Sequence, residues 1–218
     1  MTTIVILGFA VVLLGGLLLA EKRESLKGIL LTKPFLSGLF IATALAQSHP
    51  AGAYFYLILT GLVLCLAGDI CLAFFFNRRV FAAGLAFFLT GHLAYIAAFF
   101  VAAGVTAGTW VSVVAVSIFS SYVFVRLRPH LGSMRGPVIA YVAIISLMVV
   151  GAASLAVRPD FSVQARALVM AGSILFYASD LFVARHRFVK KNISNRYAGL
   201  PMYYAAQFML AFSVGMIP

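Results

Sequence analysis

Apolar residues run through this chain in long unbroken blocks, not in alternation. Blocks of about 17–22 residues recur at about 3–20, 29–46, 53–75, 80–102, 108–126, 137–157, 163–184 and 198–217. Each has the length of a helix crossing a hydrocarbon layer about 30 Å thick. Strands of a membrane barrel would alternate apolar and polar positions, and that pattern is missing. Only helices and closed barrels satisfy their backbone groups in lipid. The pattern therefore predicts an all-α polytopic membrane protein of eight transmembrane helices, forming a single transmembrane domain over residues 1–218.

Punctuation falls between the blocks. His49-Pro50-Ala51-Gly52 and Ala103-Gly104 mark tight connections. Pro34 and Pro137 are expected in the first turns of the second and sixth helices, where a missing N–H costs little. The first block ends in Glu21-Lys22-Arg23-Glu24, not in a small-residue cleavage site, and no basic stretch precedes it. It reads as the first span and not as a signal peptide.

Composition sharpens this picture. The 218 residues are 64% hydrophobic and 10% charged, against roughly 25% charged residues in a soluble domain. The net charge of +11 does not indicate nucleic acid, because the bases sit at helix ends and not on one face. They set orientation instead. Lys22, Arg23, Lys27 and Lys33 flank the first connection, and Arg78 and Arg79 the third. Arg126, Arg128 and Arg135 flank the fifth, and Arg185, Arg187, Lys190, Lys191 and Arg196 the seventh. The second and fourth have none, and the sixth has only Arg158 and Arg166. By the positive-inside rule the odd loops are cytoplasmic and both termini lie outside, as expected for a bacterial inner-membrane protein. Aligning Asp69 with Asp180 also pairs Gly61 with Gly172, Leu64 with Leu175, Ala67 with Ala178 and Ala73 with Ala184. This points to a parallel four-plus-four repeat, with halves of about 1–104 and 105–218.

Candidate chemistry rests on scarce acids. Of five, Glu21, Glu24 and Asp160 lie in loops, whereas Asp69 and Asp180 lie within apolar blocks. An ionised aspartate at mid-span costs about 2.5–3.5 kcal/mol on insertion scales, and such residues usually serve function. Two carboxylates sharing a dry site form an acid/base device when one keeps its proton while the other is ionised. Burial and mutual repulsion are the expected causes of that division. Gly68 and Ser179 precede the acids and permit close approach. His92 and Tyr95 lie one turn apart in the fourth block, and Tyr203, Tyr204 and Gln207 bring polar tips into the eighth. Lys33 is placed either to snorkel, to meet a phosphate, or to meet an aspartate. Cys65 and Cys71 read as small apolar residues, and one intramembrane histidine does not make a zinc site. No metal or cofactor is expected.

Several short motifs carry a family resemblance. Gly68-Asp69, Gly84-Leu-Ala-Phe87, Gly91-His92-Leu-Ala-Tyr95, Leu175-Phe-Tyr-Ala-Ser179-Asp180 and Tyr203-Tyr204-Ala205-Ala206-Gln207 occur in that order. Together with Lys33-Pro34 and Arg135-Gly-Pro137 followed by Tyr141, they resemble the YhhN-type lysoplasmalogenase family of eight-span membrane proteins. The resemblance runs from about residue 30 to 212. It implies hydrolysis of the vinyl-ether bond of a lysoplasmalogen, giving a fatty aldehyde and glycerophosphoethanolamine or glycerophosphocholine. A lysophospholipid, water and membrane lipid are then the partners. The expected roles are Asp69 and Asp180 as the catalytic pair, with Lys33, His92, Tyr95, Tyr141, Ser179, Tyr204 and Gln207 lining the substrate pocket. The main alternative is a small lipid or metabolite transporter whose aspartates relay protons.

Overall fold

The computed structural model describes residues 2–74 and 77–217. Among them run eight long helices and no strands. They are α1 (Thr2–Lys22), α2 (Leu26–Leu45), α3 (Gly52–Ala73), α4 (Arg78–Ala103), α5 (Ala107–Leu127), α6 (Arg135–Ala156), α7 (Val163–Ala184) and α8 (Ile193–Ser213). Seven of them, α1 to α7, are long and apolar enough to cross a membrane. The chain is a multi-pass integral membrane protein on that ground.

Helix ends follow local chemistry. The Ser25 side chain accepts from the Gly28 backbone N–H at 3.2 Å and starts α2 earlier than the apolar block does. Pro34 consequently lies inside α2 and not in its first turn, a correction to the sequence reading. Interior prolines are tolerated in membrane helices because neighbouring groups re-satisfy the freed carbonyl. Pro137 does fall in the first turn of α6. Asn77 caps α4 through Arg79 and Val80 N–H groups, and Asn192 caps α8 through Ser194 N–H. α8 begins five residues before its apolar block, because its first turns carry Asn195 and Arg196.

Neighbour relations define the architecture. α2, α3, α4, α6, α7 and α8 contact one another in a closed ring, in that order, with α8 returning to α2. α1 lies outside against α2 and α8, and α5 lies outside against α6. These two outer helices turn Ile4, Phe9 and Val12, and Trp110, Val114 and Ile118, outward. Such apolar exposure suits lipid. The tightest seams, α3–α4 and α7–α8, are built on glycine. A Cβ at Gly61 would overlap the Tyr95 ring, and one at Gly91 would lie 3.2 Å from the Gly61 carbonyl oxygen. Gly172 and Gly199 serve the α7–α8 seam in the same way. Close backbone approach through small residues is how membrane helices gain packing without a hydrophobic drive between them.

The odd connections gather at one end of the bundle. Lys191 pairs with Glu24 at 2.7 Å, Arg196 with Glu21 at 3.5 Å, and Arg78 donates to Ser133 at 2.9 Å. At the other end Thr106 and Thr109 bond to Ser154. α7 widens into a π-helical turn at Arg185–Val189 at the basic end.

Candidate active site

Asp69 and Asp180 line one cavity of about 80 Å³ near the basic end of the ring. That is room for several waters, each needing about 10–15 Å³ of such space. Its walls come from α2 to α8. Leu85, Phe88, Val123, Val142 and Ile145 make an apolar side.

The two acids have different company. Asp69, on α3, is sealed in: its side chain is 2% exposed. Lys33 on α2 lies 3.0 Å from its Oδ1. Ser37, one turn along the same face of α2, donates to Oδ2 at 2.6 Å, and Tyr203 of α8 donates to the same oxygen at 2.6 Å. One ammonium and two hydroxyls thus surround one carboxylate, the arrangement a buried ion pair needs. Of its three expected roles, the pairing with an aspartate is the one that Lys33 shows.

Asp180, on α7, is more open, at 16% side-chain exposure. Tyr141 of α6 donates to its Oδ2 at 2.6 Å. His92 of α4 places Nε2 at 4.0 Å from the same oxygen. The other ring nitrogen, Nδ1, lies 2.6 Å from the Phe88 carbonyl oxygen. A carbonyl only accepts, so Nδ1 carries the proton and Nε2 of the neutral ring is an acceptor. Nε2 is buried and has no hydrogen-bond partner among the described residues. The cation beside Asp69 sets the surroundings of the two acids apart.

Behind the cavity runs a polar chain. Tyr95 donates to Gln207 Oε1 at 2.8 Å, and Gln207 Nε2 donates to the Tyr203 hydroxyl at 3.1 Å, which in turn holds Asp69. Tyr204 approaches Ser37 at 3.3 Å. Tyr95, Tyr204 and Gln207 therefore reach the cavity only through Tyr203 and Ser37, and His92 stands behind Asp180; none of these four forms its wall, whereas Lys33, Tyr141 and Ser179 do. Adjacent residues on a helix point about 100° apart, so only one of Tyr203 and Tyr204 can face Asp69, and it is Tyr203.

Four further polar residues belong to the site but not to the set predicted from sequence: Ser37, Tyr203, Asn195 and Arg196. Ser37 follows Lys33 by four positions and Tyr203 precedes Gln207 by four, so both share a helix face with a predicted residue. That spacing was the available signal. Asn195 and Arg196 line the cavity from the first turns of α8, and nothing in their spacing relates them to the acids.

Comparison with known proteins shows the family of the chain. The profile of the YhhN family matches residues 28–214. Curated proteins of Mycobacterium bovis and Mycobacterium tuberculosis, each described as "Lysoplasmalogenase", are 30% identical to this chain over 170 residues. The match covers 76% of this chain and 61% of each relative, so the chain spans less than two thirds of their length. No solved structure matches it.

Proposed function

Since the chain belongs to the YhhN family, we propose that it is a membrane-embedded hydrolase that cleaves the vinyl-ether bond of a lysoplasmalogen by two-carboxylate acid/base catalysis. One observation carries the reading: two intramembrane aspartates line a single cavity, and among the described residues only Asp69 has a lysine or arginine beside it.

The division of roles follows from the partners. Asp69, held by Lys33 and two hydroxyls, is the carboxylate. Asp180, reached by the Tyr141 hydroxyl and facing the acceptor Nε2 of His92, carries the proton. Asp180 delivers that proton to the outer alkene carbon, and the electron pair of the double bond forms the new C–H bond. The positive charge then lies on the inner carbon and the ether oxygen as an oxocarbenium ion, steadied by the Asp69 carboxylate. Water adds to the inner carbon and passes a proton to Asp69. The hemiacetal collapses with cleavage of the bond between the inner carbon and the glycerol oxygen. Asp69 returns its proton to that oxygen, and the hemiacetal hydroxyl proton restores Asp180. One water is consumed, and an aldehyde and an alcohol leave. The same logic serves glycosidases, and general acid–base participation is worth roughly 10²–10⁴-fold in rate.

We also propose that α8 is an eighth span and that the two halves are related. α8 falls short of the other helices in hydropathy because its polar face, with Asn195, Arg196, Tyr203 and Gln207, turns inward. The 111-residue offset between Asp69 and Asp180 carries Gly61 and Tyr95, which meet on α3 and α4, onto Gly172 and Ala206, which meet on α7 and α8. It also carries His92, beside Asp180, onto Tyr203, beside Asp69. Equivalent positions thus approach the opposite acid.

The test is an incubation of purified protein with a lysoplasmalogen and with its ester-linked counterpart. The reading expects aldehyde from the first and no fatty acid from the second. Asp69→Asn and Asp180→Asn should each abolish aldehyde release while the protein stays folded. Full activity in either variant would remove that aspartate from the mechanism. Substrate flux across proteoliposomes without product would favour a transporter.

A further inference from the structure

The cavity has a second polar station away from the acids. Arg196, itself only 7% exposed, lines the cavity beside Asn195, and its Nε lies 3.5 Å from Glu21 of α1. Between this station and Tyr203 the α8 wall of the cavity is Gly199 and Leu200. Nothing in the acid/base step uses Arg196. A buried guanidinium is costly to keep, and the start of α8 is already capped by Asn192.

We propose that Arg196 is the residue that binds the phosphodiester of the substrate, with Glu21 as its resting counter-ion, so that the site selects lysophospholipids over neutral glyceryl ethers. The inference rests on the hydrolase reading for its substrate class. Its geometry is independent of the chemistry. Arg196 and Tyr203 are seven residues apart on α8, about 10 Å along the axis. In a 1-alkenyl lysophospholipid the outer alkene carbon lies seven bonds from phosphorus, roughly 8–9 Å when extended. A phosphate on Arg196 therefore lets the alkene reach the level of Tyr203, which holds Asp69. The planar guanidinium suits a phosphodiester, which it meets with two parallel N–H donors. The apolar wall of Val123, Val142 and Ile145 remains for the chain beyond the alkene.

Two measurements test the assignment. The first compares hydrolysis of 1-alkenyl-glycerophosphocholine with that of 1-alkenylglycerol, which lacks the phosphate. Arg196→Gln should lower the ratio of their kcat/KM values by about 10- to 100-fold, mainly through KM of the phospholipid. Arg196→Lys should fall between, since it keeps the charge but loses the paired donors. Glu21→Gln, by removing the competing carboxylate, should lower that KM severalfold. An unchanged ratio in Arg196→Gln overturns the proposal, and so does a Glu21→Gln variant whose KM is unaltered or raised.

The second measurement needs no turnover. The thermal midpoint of the purified protein is followed with 1-O-alkyl-glycerophosphocholine, with 1-O-alkylglycerol, and with inorganic phosphate. The phospholipid should stabilise the protein more than the alkylglycerol, and Arg196→Gln should remove the difference. A phosphate-dependent shift in a protein that releases no aldehyde would keep the binding site and sink the reaction. Equal shifts with both lipids would sink the binding site, whatever the reaction. Stabilisation by inorganic phosphate equal to that by the phospholipid would show a free-anion site and overturn the lipid assignment.

Discussion

Replacing Lys33 by methionine isolates the feature on which the site depends. The ammonium lies 3.0 Å from Asp69 with both side chains almost fully buried, so its removal leaves a carboxylate in an apolar ring. Breaking a buried pair from one side costs about 3–5 kcal/mol. Ser37 and Tyr203 still donate to Oδ2, each such charge-assisted bond being worth roughly 1.5–3 kcal/mol. With those two bonds kept, the expected destabilisation of Lys33→Met is about 3–4 kcal/mol, toward the lower end of that range. Lys33→Met combined with Asp69→Asn should recover most of the stability, since a neutral pair needs no cation. Equilibrium unfolding in mixed micelles gives the cycle. A single variant within about 1 kcal/mol of the native protein, or losses that simply add in the double variant, would refute the assignment of Asp69 as an ion-paired carboxylate. All these variants should be inactive.

Three other outcomes follow. Tyr141→Phe removes the hydroxyl on Asp180 and should lower the rate about 10- to 100-fold with the fold intact, as read by aldehyde release and circular dichroism. Gly61→Ala forces a methyl into the Tyr95 ring and should cost about 1–3 kcal/mol, measured by thermal unfolding. A Tyr95→Phe and Gln207→Leu cycle should show coupling of about 0.6–1.7 kcal/mol, the range for hydrogen bonds between membrane helices.

The helices were legible and their contents less so. Each of the eight helices overlaps an apolar block, because runs of Leu, Val, Ala and Phe determine where a backbone can lie in lipid. The ends that shifted did so for reasons outside hydropathy: Ser25 captures an N–H ahead of Pro34, and Arg196 lies in α8 because the helix buries it. Asp69 and Asp180 stood out by rarity alone. That Lys33 meets Asp69 needs the packing of α2 on α3, which local sequence does not encode. The choice of Tyr203 over Tyr204 needs the rotation of α8 about its axis, which two adjacent tyrosines leave open. Glu24 adds a contrast. The hydrogen bond and charge of Lys191 hold its carboxyl below the ordinary carboxylate range, so the pair helps above that range and its help is lost as pH falls through the lowered value. Being exposed, it is a surface contact, and Lys191→Ala should lower the thermal midpoint only slightly.

Each aspartate is served from across the molecule. Asp69 on α3 takes one of its two hydroxyls from Tyr203 on α8, and Asp180 on α7 faces His92 on α4. Cutting the polypeptide between α4 and α5 would thus yield two fragments that each own an acid and lack one of its partners. Neither fragment alone would be competent, but co-expressed they should complement one another.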